Sequence, residues 1–421
     1  MNRQTGSDGR SFSRRGLLMT GAAAFGALTG FGLMRKKHIR SFGRSFTYLK
    51  DPDFRKQEMG DALLAIDGAE FSAERFDGMA WRNIVFKNCE FMGRYDIGPS
   101  KMDGVVFEDC SFSGVLSFGV TNKVRFLRCR WDGKPVMFAE KGSKNTVFED
   151  CHFNGPDSEP NSWGAVGSYG ESEFLRCKAR WFNLRGHAKL RIDGCEFDDV
   201  DCATDERNSG LPAAVLITGS KLRGTFNLAA ADLQSLTIRD TVLDNLELTN
   251  ATIKGDVLME RVRGGSVNGW IRGAPHVTLR ASQFTPSPGF EFAFELVSAD
   301  TQHALIDSVQ ISGGTKPINF GFGALGSETR KVAPKLNRSF TIVNSRMGRV
   351  DASYLNSAEV RLERNTFDHL DLSNSRIAKL ELTGNTIARS VDFTNTQAKE
   401  SKLQHLAKGQ AKLEGSNIKA D

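Results

Sequence analysis

Large apolar residues recur at every fifth position over long stretches of this 421-residue chain. A spacing of five matches neither the 3.6-residue period of an α-helix nor the two-residue period of a simple strand. Five residues per side and four sides per turn make a coil of about 20 residues, so the repeat predicts a solenoid of stacked parallel strands. The predicted inward residues are Ile66, Phe71, Phe76, Trp81, Phe86 and Phe91, then Leu228, Leu233, Ile238, Leu243, Leu248, Ile253 and Leu258, then Ile342, Met347, Ala352, Ser357, Leu362, Phe367, Leu372, Ile377, Leu382 and Ile387.

The residue two places before each of these positions supports the same prediction. In the middle block large and small residues alternate there, as a close-packed four-sided core requires, in the order Phe226, Ala231, Leu236, Thr241, Leu246 and Ala251. The pentad Ala231-Asp232-Leu233-Gln234-Ser235 matches the consensus A(D/N)LXX. In this the chain resembles the pentapeptide-repeat family over 64–91, 226–260 and 340–393. The resemblance implies an all-β fold, a right-handed parallel β-helix, and leaves the function open.

The same pattern divides the chain into four parts. Residues 1–37 are predicted to be an export signal or membrane anchor, and 38–63 a linker with an N-terminal cap. Residues 64–397 form the predicted β-helix with loop insertions, and 398–421 a C-terminal cap or tail. Because the ends of a solenoid would otherwise expose core and strand edges, short helical caps are expected at 51–64 and at 398–413, the latter from the spacing of Leu403, Leu406 and Leu413.

The N-terminal segment resembles a twin-arginine export signal. Arg14 and Arg15 precede an uncharged, Gly- and Ala-rich run at residues 16–34, and such a pair is read by the twin-arginine export machinery. Nineteen uncharged residues are also long enough to span a bilayer, so an uncleaved segment would anchor the protein to the inner membrane. The expected location is the periplasm. The alternative is an inner-membrane anchor with a cytoplasmic body, which the basic residues at 35–44 favour.

Charge bears on the class of partner. Residues 1–37 contain seven basic residues and one acidic residue, which leaves 49 of each sign in the rest of the chain. A neutral body lacks the basic footprint of a nucleic-acid-binding protein, and it is not acidic enough to mimic DNA. Nucleic acid is therefore not an expected partner.

Six cysteines follow the coil period. Their spacings are 21, 19, 22, 26 and 18 residues, so one thiol per coil should stack in an inward column. Zinc sites use closely paired ligands such as C-x₂-C, and parallel Cβ vectors on neighbouring coils do not converge for a disulfide. Buried, reduced thiols are expected at Cys89, Cys110, Cys129, Cys151, Cys177 and Cys195, with Cys202 outside the register and the one candidate reactive thiol. Neither a metal nor an organic cofactor is implied.

Breaks in the register predict loops at 155–172, 200–212, 285–295 and 312–338. Binding residues are often carried by loops on a rigid scaffold. Trp163 and Tyr169 lie in the first loop, and Trp270 lies elsewhere. These three aromatic side chains are candidates for stacking on a sugar, although such a side chain more often anchors its own loop.

Four carboxylates crowd one predicted coil, and clustered carboxylates serve β-helix enzymes that act on acidic polysaccharides. They are Asp193, Asp198, Asp199 and Asp201. The chain carries none of the P-loop, G-x-S-x-G or H-E-x-x-H motifs. Two functions remain: a non-catalytic exported scaffold or binding protein of the bacterial cell envelope, with an envelope protein or polysaccharide as partner, or a periplasmic carbohydrate-active enzyme, either a polysaccharide lyase or a glycosidase.

Overall fold

A computed structural model describes residues 64–419 of the chain, except 73–79, 93–100, 114–118, 133–135, 140–141, 155–163, 169, 185–188, 203–212, 270, 287–299, 314–317, 321–336, 405 and 407–408. Within the described residues every regular element is a β-strand. All of the strand pairings that join them are parallel, as Leu64–Asp67 with Ile84–Lys87 illustrates. The predicted all-β parallel solenoid is confirmed.

Thirty-nine strands are formed by the described residues, numbered in chain order. The first half comprises β1 (Leu64–Asp67), β2 (Glu70–Ser72), β3 (Ala80–Arg82), β4 (Ile84–Lys87), β5 (Glu90–Met92), β6 (Lys101–Asp103), β7 (Val106–Glu108), β8 (Ser111–Ser113), β9 (Val120–Leu127), β10 (Arg130–Asp132), β11 (Val136–Ala139), β12 (Lys144–Glu149), β13 (His152–Asn154), β14 (Gly164–Ser168), β15 (Glu171–Leu175), β16 (Lys178–Asn183), β17 (Lys189–Asp193), β18 (Glu196–Asp201) and β19 (Ala213–Thr218). The second half comprises β20 (Lys221–Asn227), β21 (Asp232–Arg239), β22 (Val242–Glu247), β23 (Thr252–Ile253), β24 (Val257–Glu260), β25 (Arg263–Asn268), β26 (Arg272–Gly273), β27 (His276–Arg280), β28 (Gln283–Phe284), β29 (His303–Asp307), β30 (Gln310–Ile311), β31 (Ile318–Asn319), β32 (Asn337–Val343), β33 (Arg346–Asp351), β34 (Asn356–Glu363), β35 (Thr366–Asp371), β36 (Arg376–Thr383), β37 (Thr386–Asp392), β38 (Gln397–Leu403) and β39 (Ala411–Lys412).

One column of strands runs the length of the described solenoid. It passes in order through β1, β4, β7, β9, β12, β15, β17, β19, β21, β24, β27, β29, β32, β34, β36 and β38. Where the coils are regular, the partner lies 20 residues further on, as Ile342 and Leu362 show. The column β8, β10, β13, β16, β18, β20, β22 and β25 runs beside it.

Aromatic rings fill the N-terminal half of the core. Phe107, Phe126, Phe148 and Phe174 stack face to face with ring centroids 4.7 to 4.8 Å apart. This spacing equals the distance between neighbouring strands in a sheet. A second stack meets the first edge-on, for example at Phe112 and Phe126. Phenylalanine suits this core because its ring has no polar group that needs a partner.

The predicted inward positions are buried wherever the structure describes their side chains, with one exception. Leu258 is half-buried on the outer surface, and Met259 takes the inward place with no exposed surface. Between Ile253 and Met259 the turn holds one residue more than the five-residue rule allows. Since successive side chains of a strand point to opposite faces, this single insertion turns Leu258 outward. The prediction for Leu258 was therefore wrong.

Two predicted loops contain strands of the solenoid. β14 lies inside the 155–172 segment and pairs with β11 and β16. β31 lies inside the 312–338 segment and pairs with β33. Parts of these segments therefore continue the coils.

The helix predicted at 398–413 was also wrong. Residues Gln397–Leu403 form β38, which pairs with β36 from Arg376 to Leu382. The backbone groups of β36 would otherwise lack partners on that side, and satisfying them outweighs the helical spacing of the leucines. The helix predicted at 51–64 lies almost entirely outside the described residues, as do the signal and anchor at 1–37. Across the described ranges the structure contains no helix long and apolar enough to cross a membrane.

Candidate functional site

The four clustered aspartates lie on two different columns of strands. Asp193 ends β17, whereas Asp198, Asp199 and Asp201 lie on β18. Asp193 is held by two groups: its Oδ2 accepts a hydrogen bond from Arg191 at 2.8 Å, and its Oδ1 accepts one from the Thr218 hydroxyl at 2.7 Å. Both oxygens of Asp193 thus bind neighbouring side chains of the solenoid wall.

The carboxylates of β18 are also engaged by the neighbouring coils. Asp199 Oδ1 accepts a hydrogen bond from the backbone N–H of Thr225 at 2.8 Å, at a bulge where the register between β18 and β20 shifts. Asp198 Oδ1 and Oδ2 lie 3.9 and 3.8 Å from Arg223 and Arg180. Asp201 Oδ1 accepts a hydrogen bond from Asn227 at 3.3 Å.

Gly224 explains why this bulge tolerates the carboxylate. Its φ is +66°, and a Cβ placed there would lie 2.2 Å from Asp199 Oδ1. A side chain at position 224 would have to displace the Asp199 carboxylate, so glycine allows the backbone to approach it closely. The aspartates therefore form contacts between neighbouring coils. They are not free carboxylates presented to a substrate. In the part of the chain that the structure describes, no group of three or more His, Cys, Asp or Glu side chains is arranged to hold a metal ion.

The predicted targeting and binding residues lie outside the described residues. These are Arg14 and Arg15 in the N-terminal segment, and Trp163, Tyr169 and Trp270 among the candidates for sugar stacking. Their roles stay predictions.

The six register cysteines form one buried column, here called the thiol ladder: Cys89, Cys110, Cys129, Cys151, Cys177 and Cys195. All six are buried free thiols, as predicted. Each Sγ donates toward a carbonyl oxygen of the preceding coil, as Cys110 does to Phe86 O and Cys151 to Phe126 O, both at 3.4 Å. Burial raises the pKa of the Cys151 and Cys195 thiols well above the ordinary value. The thiolate is the reactive form, so the Cys151 and Cys195 thiols stay protonated and unreactive.

The thiol ladder continues as a column of hydroxyl and amide side chains together with two valines. The sequence predicted inward residues at this position, such as Thr241, but not the hydrogen bonds that join them from coil to coil. Ser220 Oγ accepts a hydrogen bond from Cys195 N at 3.1 Å, and Asn365 Oδ1 accepts one from Ser345 N at 2.9 Å. The backbone repeats along this column, because the residue before each member has a positive φ, as Asp150 and Asn344 do. The members beyond the cysteines are Ser220, Thr241, Val262, Ser282, Val309, Ser345, Asn365 and Asn385.

Cys202 was predicted to lie outside the register, and that prediction was wrong. Its backbone N–H bonds to Asn227 O, just as Leu184 N bonds to Asp201 O in the preceding coil. Cys202 therefore occupies the inward position that Leu184 and Leu228 fill on neighbouring coils, and it is buried. The sequence did not reveal this match, because residues 203–212 interrupt the five-residue count.

A continuous row of outward residues follows the first column of strands and is here called the outer stripe. The residue partners of the paired strands give the order of its members as Glu173, Arg191, Leu216, Thr237, Leu258, Thr278, Leu305, Thr341, Arg361, Glu381 and Lys402. Six uncharged residues from Leu216 to Thr341 occupy the centre, and charged residues occupy both ends. Leu305 is 37% exposed, one of two large apolar side chains so exposed among the described residues.

A histidine pair lies beside the outer stripe on the same face. The rings of His276 and His303 stack with centroids 5.2 Å apart and an interplanar angle of 7°. His276 Nδ1 donates to Asp256 Oδ1 at 2.8 Å, and a 2.9 Å hydrogen bond joins His303 Nδ1 to the Ser339 hydroxyl. Loss of solvation lowers the pKa of His303, which favours its neutral form near pH 7.

Comparison of the chain with models of protein families, with characterised proteins and with solved structures found no match. The parallel solenoid is consistent with a pentapeptide-repeat β-helix.

Proposed function

We propose that the protein is a non-catalytic scaffold or binding protein of the bacterial cell envelope, exported to the periplasm by the twin-arginine route. The observation that carries the non-catalytic part is the engagement of the clustered aspartates. Asp193 and Asp199 accept hydrogen bonds of 2.7 and 2.8 Å from residues on the next coil. A general acid or nucleophile has to reach its substrate instead.

The export part is supported by the thiol ladder together with the N-terminal sequence. The twin-arginine route carries proteins that have already folded, and the cytoplasm keeps thiols reduced. A solenoid whose six ladder cysteines are buried free thiols can fold there completely, without an oxidation step. The segment at 16–34 would then hold the body at the inner membrane if it stays uncleaved.

The proposed partner is an envelope protein or polysaccharide. A solenoid presents long, regular outer faces suited to extended partners. Trp163 and Tyr169 are the proposed sugar-stacking residues of the 155–172 segment, with Trp270 as a third. Replacing each with alanine should weaken the retention of the protein on its glycan, measured on immobilised envelope polysaccharides.

Export is tested by replacing Arg14 and Arg15 together with lysine. The double variant should accumulate as folded precursor in the cytoplasm, because the export machinery reads the arginine pair. The matched control replaces Arg3 and Arg10 with lysine, which keeps the same charges and should leave export unchanged. Recovery of the Arg14/Arg15 variant from the periplasm would refute the proposed route.

The non-catalytic part is tested with Asp199→Asn. If the purified protein degrades a bacterial polysaccharide and this substitution abolishes the turnover, the scaffold proposal is wrong. The alternative, a carbohydrate-active enzyme, is then supported. A folding control is needed because Asp199 also bonds to Thr225 N. Asn keeps an acceptor oxygen at that position, so the circular dichroism spectrum should not change.

A further inference from the structure

The C-terminal end of the solenoid is closed on one side of the coil and open on the next. On the closed side, Ala398 N donates a hydrogen bond to Asn417 Oδ1 and Asn417 Nδ2 donates one to Ala398 O, both at 2.8 Å. The amide of Asn417 thus takes the place of a further strand. On the open side, β38 continues from Glu400 to Leu403, and among the described residues it pairs with β36 alone. This part of β38 is therefore an unpaired strand edge.

The backbone groups at this edge face away from the preceding coil. On regular coils, the N–H of the first inward residue on this side donates to the following coil, as Leu236 N does to Asp256 O at 3.1 Å. Ser401 holds the same place on β38, in line with Val360 and Leu380, and no described strand follows it. Val360 and Leu380 are completely buried, whereas Ser401 is exposed. Hydrogen-bonding groups of β38 thus remain open to another chain.

Charge alternates from strand to strand at this end of the molecule. The alternating outer and inner residues read Glu-Val-Arg-Leu at 359–362 of β34, Lys-Leu-Glu-Leu at 379–382 of β36, and Glu-Ser-Lys-Leu at 400–403 of β38. Opposite charges therefore lie beside each other, and Lys379 Nζ is 3.6 Å from Glu359 Oε1. β36 fills the edge of β34 that faces the C-terminal end. Because β38 repeats the charges of β34, its own edge fits a strand with the order of β36, which is basic, apolar, acidic, apolar.

We propose that this edge of β38 is a docking site for an extended segment of a partner protein, which adds in parallel as one further side of the coil. A strand added in this way is held through its backbone and selected through its side chains. A basic residue of the segment lies beside Glu400 and an acidic one beside Lys402, while apolar residues cover Ser401 and Leu403. The docking site rests on the proposed function as a binding protein, whose partner it identifies as a protein segment, but not on export or on sugar stacking.

Apolar side chains at the end of the core give such a segment a surface to cover. Leu403, Leu406 and Leu413 pack against the core but are only partly buried. The strand partner of Leu403 one coil earlier is Leu382, which β38 covers and which is 1% exposed. A docked segment with an apolar residue next to Leu403 would bury it in the same way. Burial of apolar surface is the main favourable term in most protein association.

The first strand of a second copy lacks the matching charges. β1 lies at the other end of the same column and, among the described residues, pairs with β4 alone, so it is the strand that would add to β38 if two copies stacked end to end. It places Ala65 in the row that contains Lys402, and alanine brings no carboxylate to this lysine. Charged residues on a strand edge discourage pairing with unmatched strands. The charges of β38 therefore favour a different protein over a second copy.

A tethered strand tests the chemistry of this edge. The full chain is extended after Asp421 by a flexible linker of about ten Gly and Ser residues and then by Ala-Lys-Leu-Glu-Leu-Thr, the sequence of residues 378–383. Tethering supplies an effective concentration of about 1 mM, at which a weakly binding strand docks. Hydrogen–deuterium exchange at 400–403 should become at least about tenfold slower than in the unextended chain. The matched control exchanges the tethered Lys and Glu, and it should leave the exchange rate unchanged.

A second comparison locates one of the ion pairs. Replacing the tethered Glu with Gln should reduce the protection about threefold in the original chain. The same replacement should change nothing further in the Lys402→Gln background, because the partner charge is already absent there. Circular dichroism verifies that each chain is folded. Protection that does not depend on the order of the tethered charges, or an equal loss in both backgrounds, would overturn the proposal.

A peptide library tests the partner without assuming its sequence. Random peptides displayed on phage and selected on the purified full chain should be enriched in the order basic, apolar, acidic, apolar. Replacing Glu400 and Lys402 together with glutamine should remove this preference, whereas Arg389→Gln, on another face, should keep it.

A selected motif that survives the double replacement of Glu400 and Lys402 would show that the peptides bind elsewhere, and the proposal would be wrong. It would also be wrong if the full chain sediments as an oligomer that this double variant dissociates, because a second copy would then occupy the edge. The export and glycan-retention experiments do not involve β38, so the docking site and the proposed function fail separately.

Discussion

At the scale of single residues, one inward position of the coil is filled by side chains of several chemical types, most of which hydrogen-bond to the neighbouring coil. Thiols occupy it from Cys89 to Cys195, and from Ser220 onward hydroxyl and amide side chains occupy it together with Val262 and Val309. The thiol contacts are long, such as 3.4 Å for Cys110, whereas Asn365 donates to Ile342 O at 2.7 Å. A thiol is a weak donor. The hydrogen bonds of this column are therefore weak among the cysteines and stronger at Asn365.

Asn365 offers the sharpest test of this column. Replacing it with alanine removes the acceptor of Ser345 N and the side-chain donor to Ile342 O, so the free energy of unfolding should fall by about 1–3 kcal/mol. Asn365→Ser should lose less, because the serine already present at position 345 accepts from Val309 N and donates to Val343 O. Urea unfolding measures both variants. Equal losses would contradict the assigned role.

The thiol ladder predicts slow labelling. A thiol reagent added to the native protein should modify the cysteines Cys89 to Cys195 only as fast as the solenoid opens, since they are at most 2% exposed. All should react at once in denaturant. Intact-mass analysis over time separates the two cases, and rapid labelling of all six in the native protein would show that the ladder is open to solvent.

At the scale of elements, the coils are irregular where segments are inserted, and the backbone approaches itself closely there. Gly170 lies just before β15, and a Cβ on it would come 1.5 Å from Ser143 O on the preceding coil. Glu171 N bonds to that same oxygen at 3.2 Å. The close approach of β15 to the preceding coil therefore depends on the absence of a side chain at position 170.

Gly170→Ala should consequently destabilise the protein by about 3 kcal/mol, because the neighbouring backbone has to move. Gly348→Ala is the matched control. A Cβ on Gly348 would have Asp368 Oδ2 at 3.9 Å as its nearest contact, so its stability should change by no more than about 0.5 kcal/mol. Thermal unfolding measures both. Similar stabilities for the two variants would show that the approach at Gly170 is not tight.

At the scale of the whole molecule, arginine–carboxylate pairs join successive coils along one edge. Arg128 reaches Glu108 at 2.7 Å and Asp109 at 2.8 Å. Arg176 repeats the arrangement with Glu149 at 2.7 Å and Asp150 at 2.8 Å. A solenoid holds together through contacts between neighbours only, so these pairs contribute to cohesion along its axis.

These pairs predict a loss of stability in acid. Hydrogen bonds from Arg176 hold the pKa of Glu149 and of Asp150 below their ordinary values, and Arg128 does the same for Asp109. A carboxylate with a lowered folded-state pKa stabilises the fold above its unfolded pKa, about 4.3 for Glu and 3.9 for Asp, and loses this contribution as pH falls through the folded value.

The urea midpoint should therefore be flat from about pH 7 to 8, decline slightly below about pH 6.5 as His303 is protonated, and fall further below about pH 4.5. Arg176→Gln should lower the midpoint at pH 7 and make the fall in acid shallower, since two of the depressed carboxylates lose their partner. Arg389→Gln serves as the control and should reproduce the original pH profile. An unaltered profile for Arg176→Gln would mean that its ion pairs contribute nothing measurable.

Prediction of the candidate site from sequence was less complete than prediction of the fold. The cysteine column could be predicted because its members recur once per coil. The outer stripe could not, because its members are ordinary surface residues separated by 18 to 36 positions, as Leu305 and Thr341 are. The engagement of Asp193 and Asp199 by Thr218 and Thr225 likewise depends on which coil follows which.

The five-residue period by itself determined the solenoid, its inward residues and its buried thiols. A repeat that returns every coil to the same register dictates the core locally, one pentad at a time. Tertiary structure alone decided where the register slips, as it does before Met259, and that residues 397–403 form a strand. It also decided which outward residues become neighbours. Parallel stacking joins residues about 20 positions apart, and insertions of varying length change that distance from coil to coil, so the faces of the molecule follow from the stacking and not from the order of the chain.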